Sequence, residues 1–131
     1  MNVNEGPLGA AVRTVADACR VADAVQGDLA PSHGITKEDR SPVTVADFAV
    51  QAIVALDLLE ADPRVNILGE EDAAMLESVQ YGDVREAITR AVGVIRPGIT
   101  EAAVLDAVNA CDHDASATTY WTLDPVDGTK G

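Results

Sequence analysis

Apolar residues along this chain change their spacing several times, and each change marks an element. From Leu8 onward, Leu8, Val12, Val15, Cys19 and Ala22 recur every three or four positions, while Arg13, Asp17, Arg20 and Asp23 fall elsewhere. That spacing predicts an amphipathic helix ending near Gly27, with Cys19 on the buried stripe as a small hydrophobe. Ala30 to Pro42 is rich in breakers and charge and has little periodicity, so it reads as an exposed loop carrying His33, Lys37 and Arg40. A second helix is expected from Thr44, where Thr44 and Asp47 are spaced like a capping box. Its apolar face would be Phe48, Ala49, Ala52, Ile53, Leu56 and Leu59, and Asp62-Pro63 would close it.

Val65 to Leu68 then forms a short strand candidate that ends in the acidic turn Gly69-Glu70-Glu71-Asp72. Asp83 is expected to cap a helix with Val84, Ile88, Val92 and Ile95 on one face, terminated by Pro97-Gly98. Thr100 would cap the next helix, Glu101 to Ala110, with Val104, Leu105 and Val108 inward. Cys111 to Ser116 reads as a polar loop; Cys111 and His113 lack the second pair that a zinc shell needs. A closing strand through Tyr120 to Leu123 runs into Asp124-Pro125-Val126-Asp127-Gly128-Thr129. The order helix, helix, strand, helices, strand suits a layered mixed α/β fold, with residues 1–131 as one unit and no internal repeat.

Composition narrows the class. Hydrophobic residues make up 47% of the 131 positions and aromatics only 3%, so the core must be built from Ala, Val, Ile and Leu. The formal charge of −13 repels phosphate polyanions at long range and argues against a nucleic-acid partner. Carboxylates awaiting cations are compatible with it. Two widely separated cysteines do not make a disulfide scaffold, the N-terminus lacks the basic and apolar segments of an export signal, and no apolar run is long enough to span a bilayer. A soluble cytoplasmic protein without a membrane partner is the expectation, with an organelle left open.

Acidic residues next to structural punctuation carry the candidate chemistry. Asp47 lies in the first turn of a helix, Glu70 follows a strand, and Asp124 and Asp127 follow another. Hard divalent cations take such oxygen donors, and the Asp-Pro-Val-Asp turn can add the Val126 carbonyl. Paired ions of this kind serve phosphoryl transfer. Gly128 permits close backbone approach, and the Gly128 and Thr129 amides would face an anion if a helix began there.

Ser41-Pro42-Val43-Thr44-Val45-Ala46-Asp47, Gly69-Glu70-Glu71 and Trp121-Thr122-Leu123-Asp124-Pro125-Val126-Asp127-Gly128-Thr129-Lys130-Gly131 occur in this order. Together they resemble the motifs of the inositol monophosphatase-like superfamily of metal-dependent, lithium-sensitive phosphatases. Ser-Pro-Val-Thr-Val-Ala-Asp and Asp-Gly-Thr-Lys-Gly are most similar to the 3'(2'),5'-bisphosphate nucleotidase branch, since inositol monophosphatases typically carry Asp-Gly-Thr-Thr-Asn. The resemblance implies a layered α/β/α/β/α sandwich, of which this chain would be the N-terminal portion. It also implies hydrolysis of the 3'-phosphate of adenosine 3',5'-bisphosphate with two or three Mg2+ ions. In that scheme Glu70, Asp124, the Val126 carbonyl and Asp127 are metal ligands. Asp47 and Thr129 relay a proton from the attacking water, and the Gly128 and Thr129 amides hold phosphate.

The superfamily continues well beyond a segment of this length, so the chain is expected to need a C-terminal half or to self-associate, and to be inactive alone. Two other functions stay open at this point: an inositol phosphate phosphatase, and a non-catalytic acidic assembly module retaining the motifs by descent.

Overall fold

The computed structural model describes residues 6–28, 42–112 and 116–124. Helix α1 spans Pro7–Asp28 and α2 Pro42–Ala61; strand β1 is Ile67–Gly69; α3 is Gly82–Gly93, α4 Glu101–Asn109, and β2 Trp121–Leu123. Two short 3-10 turns, Ala74–Glu77 and Val79–Tyr81, join β1 to α3. The mixed α/β class expected from the sequence is the one observed. The expected loop residues His33, Lys37 and Arg40 lie outside the described residues.

Helix α2 is the centre of the packing, in contact with α1, α3 and α4. Every position from Val45 to Ala55 is buried except Asp47, which is half-buried. A helix that is apolar on all sides can be stabilised only by neighbours on all sides. Pro42 rather than Thr44 opens α2, as suits a residue whose ring pre-sets helical φ and whose missing N–H is not needed there. Thr44 is therefore inside the helix and is not its cap, and Asp47 falls in the second turn.

The buried face of α1 differs from the expected one. Leu8, Val12 and Val15 are 78%, 65% and 59% exposed, and Cys19 is exposed with them. The face against α2 is instead Ala10, Thr14, Val21 and Val25, with Ala18 partly buried. Two apolar rows wind along opposite sides of this helix. The row with smaller side chains near its start allows close approach to α2. It also places Arg13 and Asp17 on the flank that meets Asp57 of α2.

That meeting point is polar and buried. Asp57 is 2% exposed, and its Oδ1 accepts from Arg96 at 2.7 Å, while Arg96 also donates to Glu60 at 2.6 Å. The Arg13 guanidinium donates to the Asp57 backbone carbonyl at 3.4 Å. Asp57 is raised to about 6, first by burial and then by sharing a hydrogen bond with the Asp17 carboxyl; Arg96 opposes the rise.

The expected α3 face is present, with Val84, Ile88 and Val92 fully buried. Asp83 sits in its first turn, where its Oδ1 accepts from the Val84 amide at 3.0 Å, while Tyr81 holds the boundary position. Thr100 caps α4 as expected, its Oγ1 accepting from Ala103 N at 3.1 Å. Strands β1 and β2 pair in parallel, Ile67 with Trp121, Leu68 with Thr122 and Gly69 with Leu123. Parallel neighbours require a long crossover, and the segment holding α3 and α4 provides it. Among the described residues, no helix is long and apolar enough to cross a membrane.

Candidate functional site

Because β1 and β2 are parallel and in register through Gly69 and Leu123, the next residue of each strand leaves the sheet at the same end. Those residues are Glu70 and Asp124. Ligand sites of α/β sheets lie in the crevice beyond the carboxyl ends of the strands, so the fold places both acids where such sites form. Asp47 faces them from α2. Val126, Asp127, Gly128 and Thr129 lie outside the described residues.

The charges of these groups act on Asp47. The Asp47 carboxyl is raised from 3.8 to about 6, first by burial and then by the charges of Glu71, Glu70 and Asp124. Two segments distant in sequence from Asp47 and from each other thus act on its carboxyl. Glu71 is itself raised, by burial and by Glu70 and Asp72 on either side of it. Like charges gathered at a half-buried position destabilise one another unless a cation or proton intervenes.

The turn after β1 is held from two sides. Gln51 of α2 has no exposed surface and brackets Glu71: its Oε1 accepts from Glu71 N at 3.0 Å and its Nε2 donates to Glu71 O at 2.6 Å. The same Nε2 donates to Val108 O of α4 at 3.1 Å. At the end of α4, Asn109 Oδ1 accepts from Ala73 N at 2.9 Å, and just beyond the helix the Cys111 carbonyl accepts from Gly69 N at 3.1 Å. Gly69 is required by space, because a Cβ there would lie 2.8 Å from Cys111 Cβ and from Gln51 Cδ. The sequence reading missed Gln51. Its signal was a lone amide within an otherwise apolar run, Phe48 to Leu56.

A cleft of about 400 Å³ lies beside this turn, lined by Glu70, Glu71, Asp72, Asn109 and Asp112. A separate hollow of about 230 Å³ lies under Val65 and Trp121 beside Ala10, at the other end of the strands and away from the acids.

The donors facing one another are all carboxylate oxygens, the chemistry that suits a hard divalent ion such as Mg2+. Cys111 does not compete as a soft ligand: it is buried, its Sγ lies 3.7 Å from the Ala107 carbonyl, and burial and Asp112 push its thiol up to about 11. Among the described residues, no group of three or more His, Cys, Asp or Glu is gathered tightly enough to hold an ion. The described carboxylates fit a hard metal ion in kind, and the remaining sequence-predicted donors belong to the Val126–Asp127 segment.

Comparison with known proteins bears on the same motifs. No protein-family model matches the sequence. A 3'(2'),5'-bisphosphate nucleotidase of Oryza sativa is 33% identical over 135 residues, covering 95% of this chain and 38% of its own length. Proteins of that name from Schizosaccharomyces pombe and Dictyostelium discoideum are 39% and 35% identical, over 74% and 92% of this chain. The chain spans 30% and 37% of those two relatives, so the similarity covers most of this sequence but only about a third of theirs.

Proposed function

We propose that this chain, related to the 3'(2'),5'-bisphosphate nucleotidases over nearly its whole length, is the N-terminal portion of the catalytic domain of a phosphomonoesterase. Its substrate would be adenosine 3',5'-bisphosphate, giving AMP and phosphate. The observation that carries this reading is the parallel register that sends Glu70 and Asp124 out of the sheet at one end, where their charges and that of Glu71 act on Asp47. Resemblance of the three motifs to those of the nucleotidase branch supplies the substrate class.

In this reading Glu70, Asp124, the Val126 carbonyl and Asp127 hold two or three Mg2+ ions. When bound, the ions neutralise the phosphate oxygens and raise the acidity of water beside them. The Gly128 and Thr129 amides would hold the phosphate. Thr129 Oγ1 would take the proton of the attacking water while passing its own to the Asp47 carboxylate, as the new P–O bond forms and the bond to the ribose 3'-oxygen breaks, that oxygen leaving with a proton from solvent. An ionised Asp47 carboxylate supplies the proton acceptor that a general base requires.

Phosphate release by the protein carrying this chain tests the assignment. Adenosine 3',5'-bisphosphate should be hydrolysed with Mg2+ and the reaction should be inhibited by Li+. Preference for inositol phosphates over the nucleotide would overturn the substrate class.

A further inference from the structure

We propose that Gln51 is a positioning residue that fixes the Glu70–Glu71 turn relative to Asp47. The inference rests on the metal-ligand reading of Glu70 given above. A primary amide with no exposed surface in a helix that is otherwise apolar from Phe48 to Leu56 is unfavourable unless its polar atoms find partners. Here they do, and in an uncommon way: one side chain takes both backbone polar groups of a single residue, Glu71, as a neighbouring strand would. The orientation of the amide follows from its partners, since Oε1 meets an N–H while Nε2 meets two carbonyls; the reversed amide would satisfy none of them.

Gln51 lies one helical turn beyond Asp47, so the two residues share a face of α2. The same helix face therefore carries the proposed base and grips the segment that bears the proposed ligand. The third bond, to Val108 O, ties that segment to α4 as well. Gly69 brings the chain directly against the amide, leaving no space for a Cβ between them. Any shift of α2 would move Asp47 and the Glu70 turn together, preserving their separation.

The test compares Gln51→Met, which keeps the volume and removes the hydrogen bonds, with Ile88→Ala, a core change on α3 away from the turn. Mn2+ titration and deuterium exchange of the Leu68–Ala73 peptide are read for both, with melting temperature as the common scale. Gln51→Met should weaken Mn2+ binding about tenfold and speed exchange of that peptide at least tenfold. Ile88→Ala, at equal or greater loss of melting temperature, should keep the wild-type Mn2+ affinity. Mn2+ affinity of Gln51→Met within twofold of wild type, or exchange no faster than in Ile88→Ala, overturns the positioning role. Wild-type protein that binds no Mn2+ overturns the ligand role of Glu70, and the exchange comparison then decides the claim about the turn by itself.

Discussion

Replacing Asp57 by Asn should stabilise the protein at pH 8, although it removes a charge that Arg96 contacts at 2.7 Å. Asp57 is 2% exposed, and its Oδ2 makes no hydrogen bond as an ionised acceptor. It faces the Asp17 carboxyl from α1, the Arg96 guanidinium, and Arg13 at its backbone carbonyl, with Glu60 beside Arg96. Raising the carboxyl from 3.8 to about 6 means that the folded state holds a proton which the unfolded chain releases. The difference is worth about 3 kcal/mol against folding once both states are ionised. That penalty is absent below 3.8, grows as pH rises, and is complete above about 6. Asn supplies a permanent donor toward Asp17 and still offers Arg96 an acceptor, at a loss of about 1 kcal/mol of charge-assisted bonding. The variant should therefore gain about 2 kcal/mol at pH 8 and differ little from wild type near pH 4. Urea unfolding at pH 4, 6 and 8 measures this directly. Asp47 titrates in the same range but is present in both proteins, so its contribution cancels in the difference. A variant less stable than wild type by about 3 kcal/mol at every pH would refute the reasoning, because it would mean that Asp57 is ionised and locked to Arg96 as a buried ion pair.

Other expectations follow from the packing. Val12→Ser, on the exposed row of α1, should change stability by less than about 0.5 kcal/mol, whereas Val21→Ala on the buried row should cost about 2 kcal/mol; chemical denaturation of both checks which face is buried. Thr100→Ala removes the cap of α4 and should cost about 1 kcal/mol, with Thr100→Ser recovering most of it in the same assay. Gly69→Ala should cost about 1–3 kcal/mol, because its Cβ would meet Cys111 and Gln51 at 2.8 Å; unchanged stability would show that the turn can move away freely.

The sequence was most legible where one period held over a whole element. Val84, Ile88 and Val92 could be assigned inward because α3 carries one apolar row, and Thr100 could be named as a cap because its hydroxyl stands directly before such a row. Helix α1 misled because it carries two rows, and periodicity alone cannot say which one a neighbour will cover. Choosing between them needed knowledge of α2, whose Asp57 meets Asp17 and whose apolar surface accepts small side chains. Thr44 misled for a local reason: Pro42 two residues earlier is itself a good helix start. At the site, the motifs marked Asp47, Glu70 and Asp124, and parallel pairing explains why the last two leave the sheet together. Gln51 could not be recognised as a clamp, since its partners are backbone groups 20 and 57 positions away and backbone groups leave no mark on sequence spacing.

The central claim, that these acids serve metal-dependent removal of a nucleotide 3'-phosphate, is tested most directly by one comparison. Phosphate release from adenosine 3',5'-bisphosphate is measured with the protein carrying this chain, wild type against Asp124→Asn, with and without Mg2+. Wild type should release phosphate only with Mg2+, and Asp124→Asn, while remaining folded, should lose about a hundredfold to a thousandfold in rate, the scale of removing one stabilising group from a transition state. Equal rates for the two proteins, or release that does not respond to Mg2+, would contradict that claim.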